Sequence, residues 1–214
     1  MLHNVRALLL MAKEIEFHAT AGIDAANRVL SSSSDHVDWV ALYNLATHAG
    51  CAGAFLQSSP SRSRTLTAAF PGRAEAFGAL TAIDEDLSGI KGIRDAMIHA
   101  DERLEAEWIR REALGEVHDG IEMRAVGSLP TGGGALINWN FSTRELSGRK
   151  AYVKDKPRDL EYHTVNIVGL RDQLRNIEFG VSRLSSYVDS MTAAAPGPHP
   201  LPLRATKTVS TDPR

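Results

Sequence analysis

Arg94, Asp95, His99 and Glu102 are the residues of this 214-residue chain whose types and spacing fit chemistry most directly. Histidine exchanges a proton near neutral pH, and arginine keeps its charge and offers a planar fork of donors to an anion's oxygens. A carboxylate one helical turn away can orient an imidazole, and Asp95, four residues before His99, and Glu102, three after it, both stand at that spacing. Such a set can move protons and bind anions. Asp95, His99 and Glu102 could alternatively ligate a metal ion if a second subunit, or Glu14 and His18, completed the shell.

These residues need a helix to hold them. In the stretch 86–111, DLSGIKGIRDAMIHADERLEAEWIRR, apolar residues recur at Ile90, Ile93, Met97, Ala100, Leu104 and Trp108, which predicts one helix with a buried stripe. At about 100° per residue, Asp95, Ile98, His99 and Glu102 fall on nearly the opposite side, with Arg94 at the border. Ile98 is then an isolated apolar residue on a polar face, which points to a contact with something other than the chain's own core. On a straight helix Arg94 and His99 diverge by about 140°, so they meet only through the long arginine side chain, a bend, or a second subunit. Gly89 and Gly92 favour close packing or a bend just before Arg94.

Arg94, four intervening residues and His99 resemble the R-x4-6-H motif of the HEPN superfamily. The run IRDAMIHADERL, 93–104, is similar to an L-R-N-x-x-E-H-x-D-E-R-L run of bacterial HEPN-like helical proteins. Asp95 stands where that run often has Asn, Ile98 where it has Glu, and Ala100 where it has an aromatic residue. The resemblance implies metal-independent RNA cleavage, in which the ribose 2′-hydroxyl attacks the adjacent phosphodiester and leaves a 2′,3′-cyclic phosphate. His99 would then be the acid or base, Arg94 the phosphate ligand, and Asp95 or Glu102 the group that orients the imidazole. It also implies a homodimer that brings two motifs together, here through the Ile98/His99 face, without a cofactor. HEPN-like bundles also serve as non-catalytic dimerisation, RNA-binding or protein-binding modules, so that alternative stays open, as does a metal-binding helical bundle. A role in a toxin or defence system, with an antitoxin as partner, rests on analogy alone.

The rest of the chain reads as a frame for that helix. Periodicity predicts a first helix over 2–30 with Val5, Leu8, Ala12, Ile15, Ala19, Ile23, Ala26 and Leu30 inward. A second helix over about 36–57, capped by Ser34 or Asp35, turns Val37, Ala41, Leu45, Ala52 and Phe55 inward, with His48 on the same stripe. Glu14 and His18 read as a solvated pair, and Cys51, in AGCAGAF, as a small core residue. An exposed loop over 58–73 carries Arg62, Arg64 and Arg73, a short helix covers 74–83, and Asp84-Glu85-Asp86 caps the central helix.

Beyond Gly115 the helical period is lost, and GIEMRAV, ALINWNF and KAYVKD, separated by the turn material LPTGGG and STRELSG, predict a small antiparallel sheet inserted over about 118–160. Six basic residues against two acidic ones between Phe141 and Arg158 make Arg144, Arg149, Lys150 and Lys154, with Trp139 and Tyr152, candidates for phosphate contact and base stacking. A final helix over about 164–188 carries Leu170, Leu174, Ile177, Val181, Leu184 and Val188 inward.

The fold class expected is therefore mainly α, an up-down bundle of four or five helices in a single HEPN-like domain over 1–192, with a disordered tail over 193–214. A net charge of −2 gives no overall attraction to nucleic acid, and 84–124 holds twelve acidic against six basic residues, which repels RNA. One cysteine permits no internal disulfide, and the apolar runs fall short of the roughly 20 residues of a membrane span. Both features favour a cytoplasmic protein.

Overall fold

The computed structural model describes residues 2–33, 36–56, 85–115, 122–127, 135–150 and 161–194. The short helix expected over 74–83, the basic loop, most of KAYVKD and the tail from residue 195 lie outside the described residues. Within them the chain is mainly helical, with five helices and a four-stranded sheet. The helices are α1 (Leu2–Ser31), α2 (Trp39–Leu56), α3 (Ser88–Ile98), α4 (Ala100–Leu114) and α5 (Ile167–Ala194). The strands are β1 (Glu122–Val126), β2 (Ala135–Asn140), β3 (Glu145–Arg149) and β4 (Tyr162–Asn166). No described helix is long and apolar enough to cross a membrane.

The long α1 packs along both α2 and α5. Its stripe of Ala12, Ile15, Ala19, Ile23 and Ala26 is buried, as are Ala41, Leu45 and Ala52 of α2 and Leu170, Leu174, Ile177, Val181 and Leu184 of α5. Each large aliphatic side chain so buried contributes about 1.5–3 kcal/mol. Asp38 caps α2 by accepting the Ala41 N–H at 2.8 Å, and it holds Arg28 of α1 at 2.6 Å. The cap therefore lies later than Ser34 or Asp35. It is chosen by an aspartate that can also pair with the end of the preceding helix.

The sheet runs β1-β2-β3-β4 in space. Strands β2, β3 and β4 are antiparallel neighbours, whereas β1 runs parallel to β2 with Glu122 opposite Ala135 and Val126 opposite Trp139. The sheet is thus mixed rather than purely antiparallel. β3 takes in ELSGR, which its Ser and Gly content marked as turn material; burial on both sides leaves room only for small residues at Ser147 and Gly148. The turn before it places Arg144 at φ 57° and lets Asn140 accept the N–H groups of Ser142 and Thr143. β4 extends to Asn166, whose side chain then caps α5 through the Gly169 N–H. Arg124 of β1 lies 5.7 Å from the ring centres of both Trp39 and Tyr43, tying the sheet's edge to α2.

α3 lies between α2 and the sheet. It buries Ile90, Ile93, Ala96 and Met97, as its period requires. The predicted single helix, however, breaks at His99, whose backbone (φ −104°, ψ 38°) leaves the helical region. The break resets the helical phase from Ala100 onward. In α4 the buried residues are Glu107, Arg110 and Arg111, while Trp108, expected inward, is 52% exposed. Gly115, at φ 67°, ends α4 with its N–H on the Glu112 carbonyl.

Candidate functional site

The site grows from the start of α3. Asp86 accepts the Ser88 N–H at 2.8 Å and fixes the helix start, and the four inward residues then hold its rotation. That rotation turns Arg94 toward α2, where it lies across Gly50. A methyl group at Gly50 would sit 2.8 Å from Arg94 Cδ, so the glycine makes room for the arginine side chain. Arg94 donates from Nε (3.2 Å) and Nη2 (2.8 Å) to one oxygen of Asp95. Its side chain is only 16% exposed, so its charge is both sheltered and compensated.

His99 sits at the break. Its N–H still donates to the Asp95 carbonyl and its own carbonyl still accepts the Arg103 N–H, so the chain changes direction without leaving either group unpaired. The imidazole is half-exposed, with Nδ1 3.4 Å from Glu102 Oε1. Glu102 therefore stands beside the ring, while Asp95 is engaged by Arg94. Arg94 faces the interior and His99 faces outward. The break turns them toward different partners.

A second histidine beside α3 is His163 of β4. Its ring covers Gly92, where any Cβ would collide with it. Burial, reinforced by the charges of Lys150 and Arg103, holds His163 below the ordinary histidine pKa, with Asp95 pulling the other way. No motif marks His163 in the sequence. The signal that could have found it was Gly92, because a glycine inside a helix asks what approaches it.

α4 carries an inverted pattern. Its inward face is charged: Glu107 receives Arg110 Nε at 2.8 Å, Arg111 Nε at 2.9 Å, and the guanidinium of Arg149 from β3. Burial alone would raise the Glu107 carboxyl, but the hydrogen bonds from Arg110 and Arg111 and the charge of Arg149 outweigh it and hold it below the usual carboxylate value. The outward side of α4 carries the apolar groups Ile109, 58% exposed, and Trp108, 52% exposed, and Ile98 at the end of α3 is 61% exposed. Beside them Asp101, Glu102, Leu104, Glu105 and Trp108 line a shallow depression. An acidic rim thus surrounds apolar surface.

The residues read as an RNA-binding sheet take other positions. Trp139 is fully buried against Phe141 and belongs to the core, so its ring is closed to stacking on a base. Arg149 is buried on Glu107, Lys150 reaches Glu161 at 2.6 Å, and Arg144 lies over the Phe141 ring. Tyr152 and Lys154 lie outside the described residues. Among the described residues no group of three or more His, Cys, Asp or Glu side chains could hold a metal ion, and Asp95, His99 and Glu102 are no exception.

No protein-family model matches this chain, and no curated protein or solved structure matches it significantly. The site must be read from its own geometry. What that geometry offers is a half-exposed imidazole beside a carboxylate, a sheltered guanidinium, and next to them an acidic-rimmed apolar helix face.

Proposed function

We propose that this chain is a HEPN-like, non-catalytic interaction module whose working surface is the outer face of α3 and α4, and that its partner is a protein segment bearing cationic and apolar side chains. One observation carries the reading: α4 buries Glu107, Arg110 and Arg111 and exposes its large apolar residues Trp108 and Ile109. Exposed apolar residues grouped on one helix face mark a contact surface, and the flanking Asp101, Glu102, Glu105 and Glu112 choose the sign of what arrives. The homodimer expected at the Ile98/His99 face would set these carboxylates against their own copies, a repulsion that a cationic partner removes. RNA is disfavoured by the same rim. An antitoxin of basic character would fit, by analogy with toxin systems.

The test is titration of the full chain with a fluorescent amphipathic peptide carrying Lys and Leu, beside an acidic peptide of equal length. Binding confined to the basic peptide, weakened about tenfold by Ile109→Asp and by raised salt, supports the reading. Equal affinity of wild type and Ile109→Asp overturns it.

Metal-independent RNA cleavage is the second reading, favoured by the half-exposed His99 beside Glu102, five residues after Arg94. It requires Arg94 to leave Asp95 and meet a phosphate. RNA incubated in excess EDTA with wild type and with folded His99→Ala decides it: cyclic phosphate ends that vanish in the variant establish cleavage, and equal inertness excludes it.

A further inference from the structure

We propose that His18 of α1 and His48 of α2 form a binding site for one divalent transition-metal ion of the zinc type, held between the two Nδ1 atoms. This stands apart from the reading of α3 and α4 and uses none of its residues. In the sequence His18 pairs with Glu14 and His48 stands alone; the fold brings the two imidazoles together at a 45° tilt, with their Nδ1 atoms 2.9 Å apart. At that distance one nitrogen donates and the other accepts, so a lone pair is already aimed at the point between the rings.

A metal ion can replace the shared proton. Zinc binds imidazole nitrogen at roughly 2.0–2.1 Å, which in a tetrahedral shell places two nitrogens roughly 3.3 Å apart. The rings need therefore separate by only roughly 0.4 Å. As the ion enters, the donor ring gives its Nδ1 proton to water and takes one from water at Nε2, so both imidazoles bind as neutral ligands protonated at Nε2 and no net proton is released.

The surroundings hold the rings in place. Phe17 meets both imidazoles edge-on, with ring centres 5.3 Å from His18 and 5.8 Å from His48, and Phe55 stacks on His18. The two histidines are half-buried, so an ion can reach them from solvent. Since no third His, Cys, Asp or Glu among the described residues joins the pair, water, a small anion or a partner's side chain fills the remaining positions. Two imidazoles suit zinc, nickel or copper(II) and select against magnesium and calcium, which take oxygen ligands.

The experiment is calorimetric titration of the EDTA-treated, dialysed full chain with zinc chloride. One ion per chain at micromolar affinity is expected, weakened at least about tenfold in His18→Gln and in His48→Ala and unchanged in His99→Ala and His163→Ala. Absence of stoichiometric binding to wild type, or equal binding to the His18 and His48 variants, overturns the proposal. Should either variant unfold, cobalt(II) added to wild type decides: paramagnetic shifts of the His18 and His48 ring protons ahead of every other histidine support the site, and shifts that begin elsewhere overturn it.

Discussion

Glu107 of α4 and Arg149 of β3 meet as a buried ion pair, with less than a tenth of either side chain exposed. Arg110 and Arg111 share the same carboxylate, so this one acid fastens α4 to the sheet. Replacing one member of such a cluster leaves buried charge uncompensated. Glu107→Gln is expected to lower unfolding free energy in urea by about 3–5 kcal/mol, and an unchanged midpoint would show that the cluster contributes nothing.

The same carboxyl sets an acid limit. Its folded pKa lies below the unfolded value of about 4.3, so its contribution is fully present above that value and is lost as pH falls through the folded one. Wild type should therefore show a stability decline in this acid range that Glu107→Gln lacks, measured by urea unfolding at successive pH values.

His48 and His163 act in a milder range. Burial lowers both, so the unfolded chain takes up protons first as pH falls below about 6.5, and stability drops there while remaining full above it. His48→Gln combined with His163→Gln should flatten this part of the profile; an equally steep profile in the double variant would assign the drop to other groups.

Arg94 and Gly50 are expected to be energetically coupled. Gly50→Ala forces the arginine aside at a cost of about 1–3 kcal/mol, and much of that cost should vanish when Arg94 is also cut to Ala. Additive effects in this cycle would mean that Arg94 repositions freely.

Trp139 separates core from RNA surface. Trp139→Ala should cost about 3–5 kcal/mol of stability, as expected of a fully buried aromatic side chain. A variant as stable as wild type would return this ring to the surface.

The helices were legible because three-four periodicity is a local signal, and the inward residues of α1, α2, α3 and α5 obey it wherever they are described. The break at His99 was not, since no proline or glycine stands there and Ala100, Leu104 and Trp108 continue the period in sequence. Once the phase is reset, partners far along the chain decide what is buried, and Arg149 draws Glu107 inward although its charge argues for solvent. β3 was hidden for a related reason. Ser147 and Gly148 read as a turn in isolation, and only Ile93 packed over Gly148 explains why a strand needs so small a residue. At the candidate site Arg94, Asp95, His99 and Glu102 were found from spacing, but which carboxylate serves which cation depended on Gly50 admitting Arg94.

α1 finds one of its two helical neighbours only at the far side of the chain: Glu16 accepts a hydrogen bond from Ser182, and Thr20 bonds to Glu178. Synthesis at roughly 5–20 residues per second separates the emergence of these segments by on the order of ten seconds or more. During that interval the stripe of α1 that α5 will cover is bare, although α2 is already at hand for the other side. Late completion of the bundle is thus built into the order in which the helices are made.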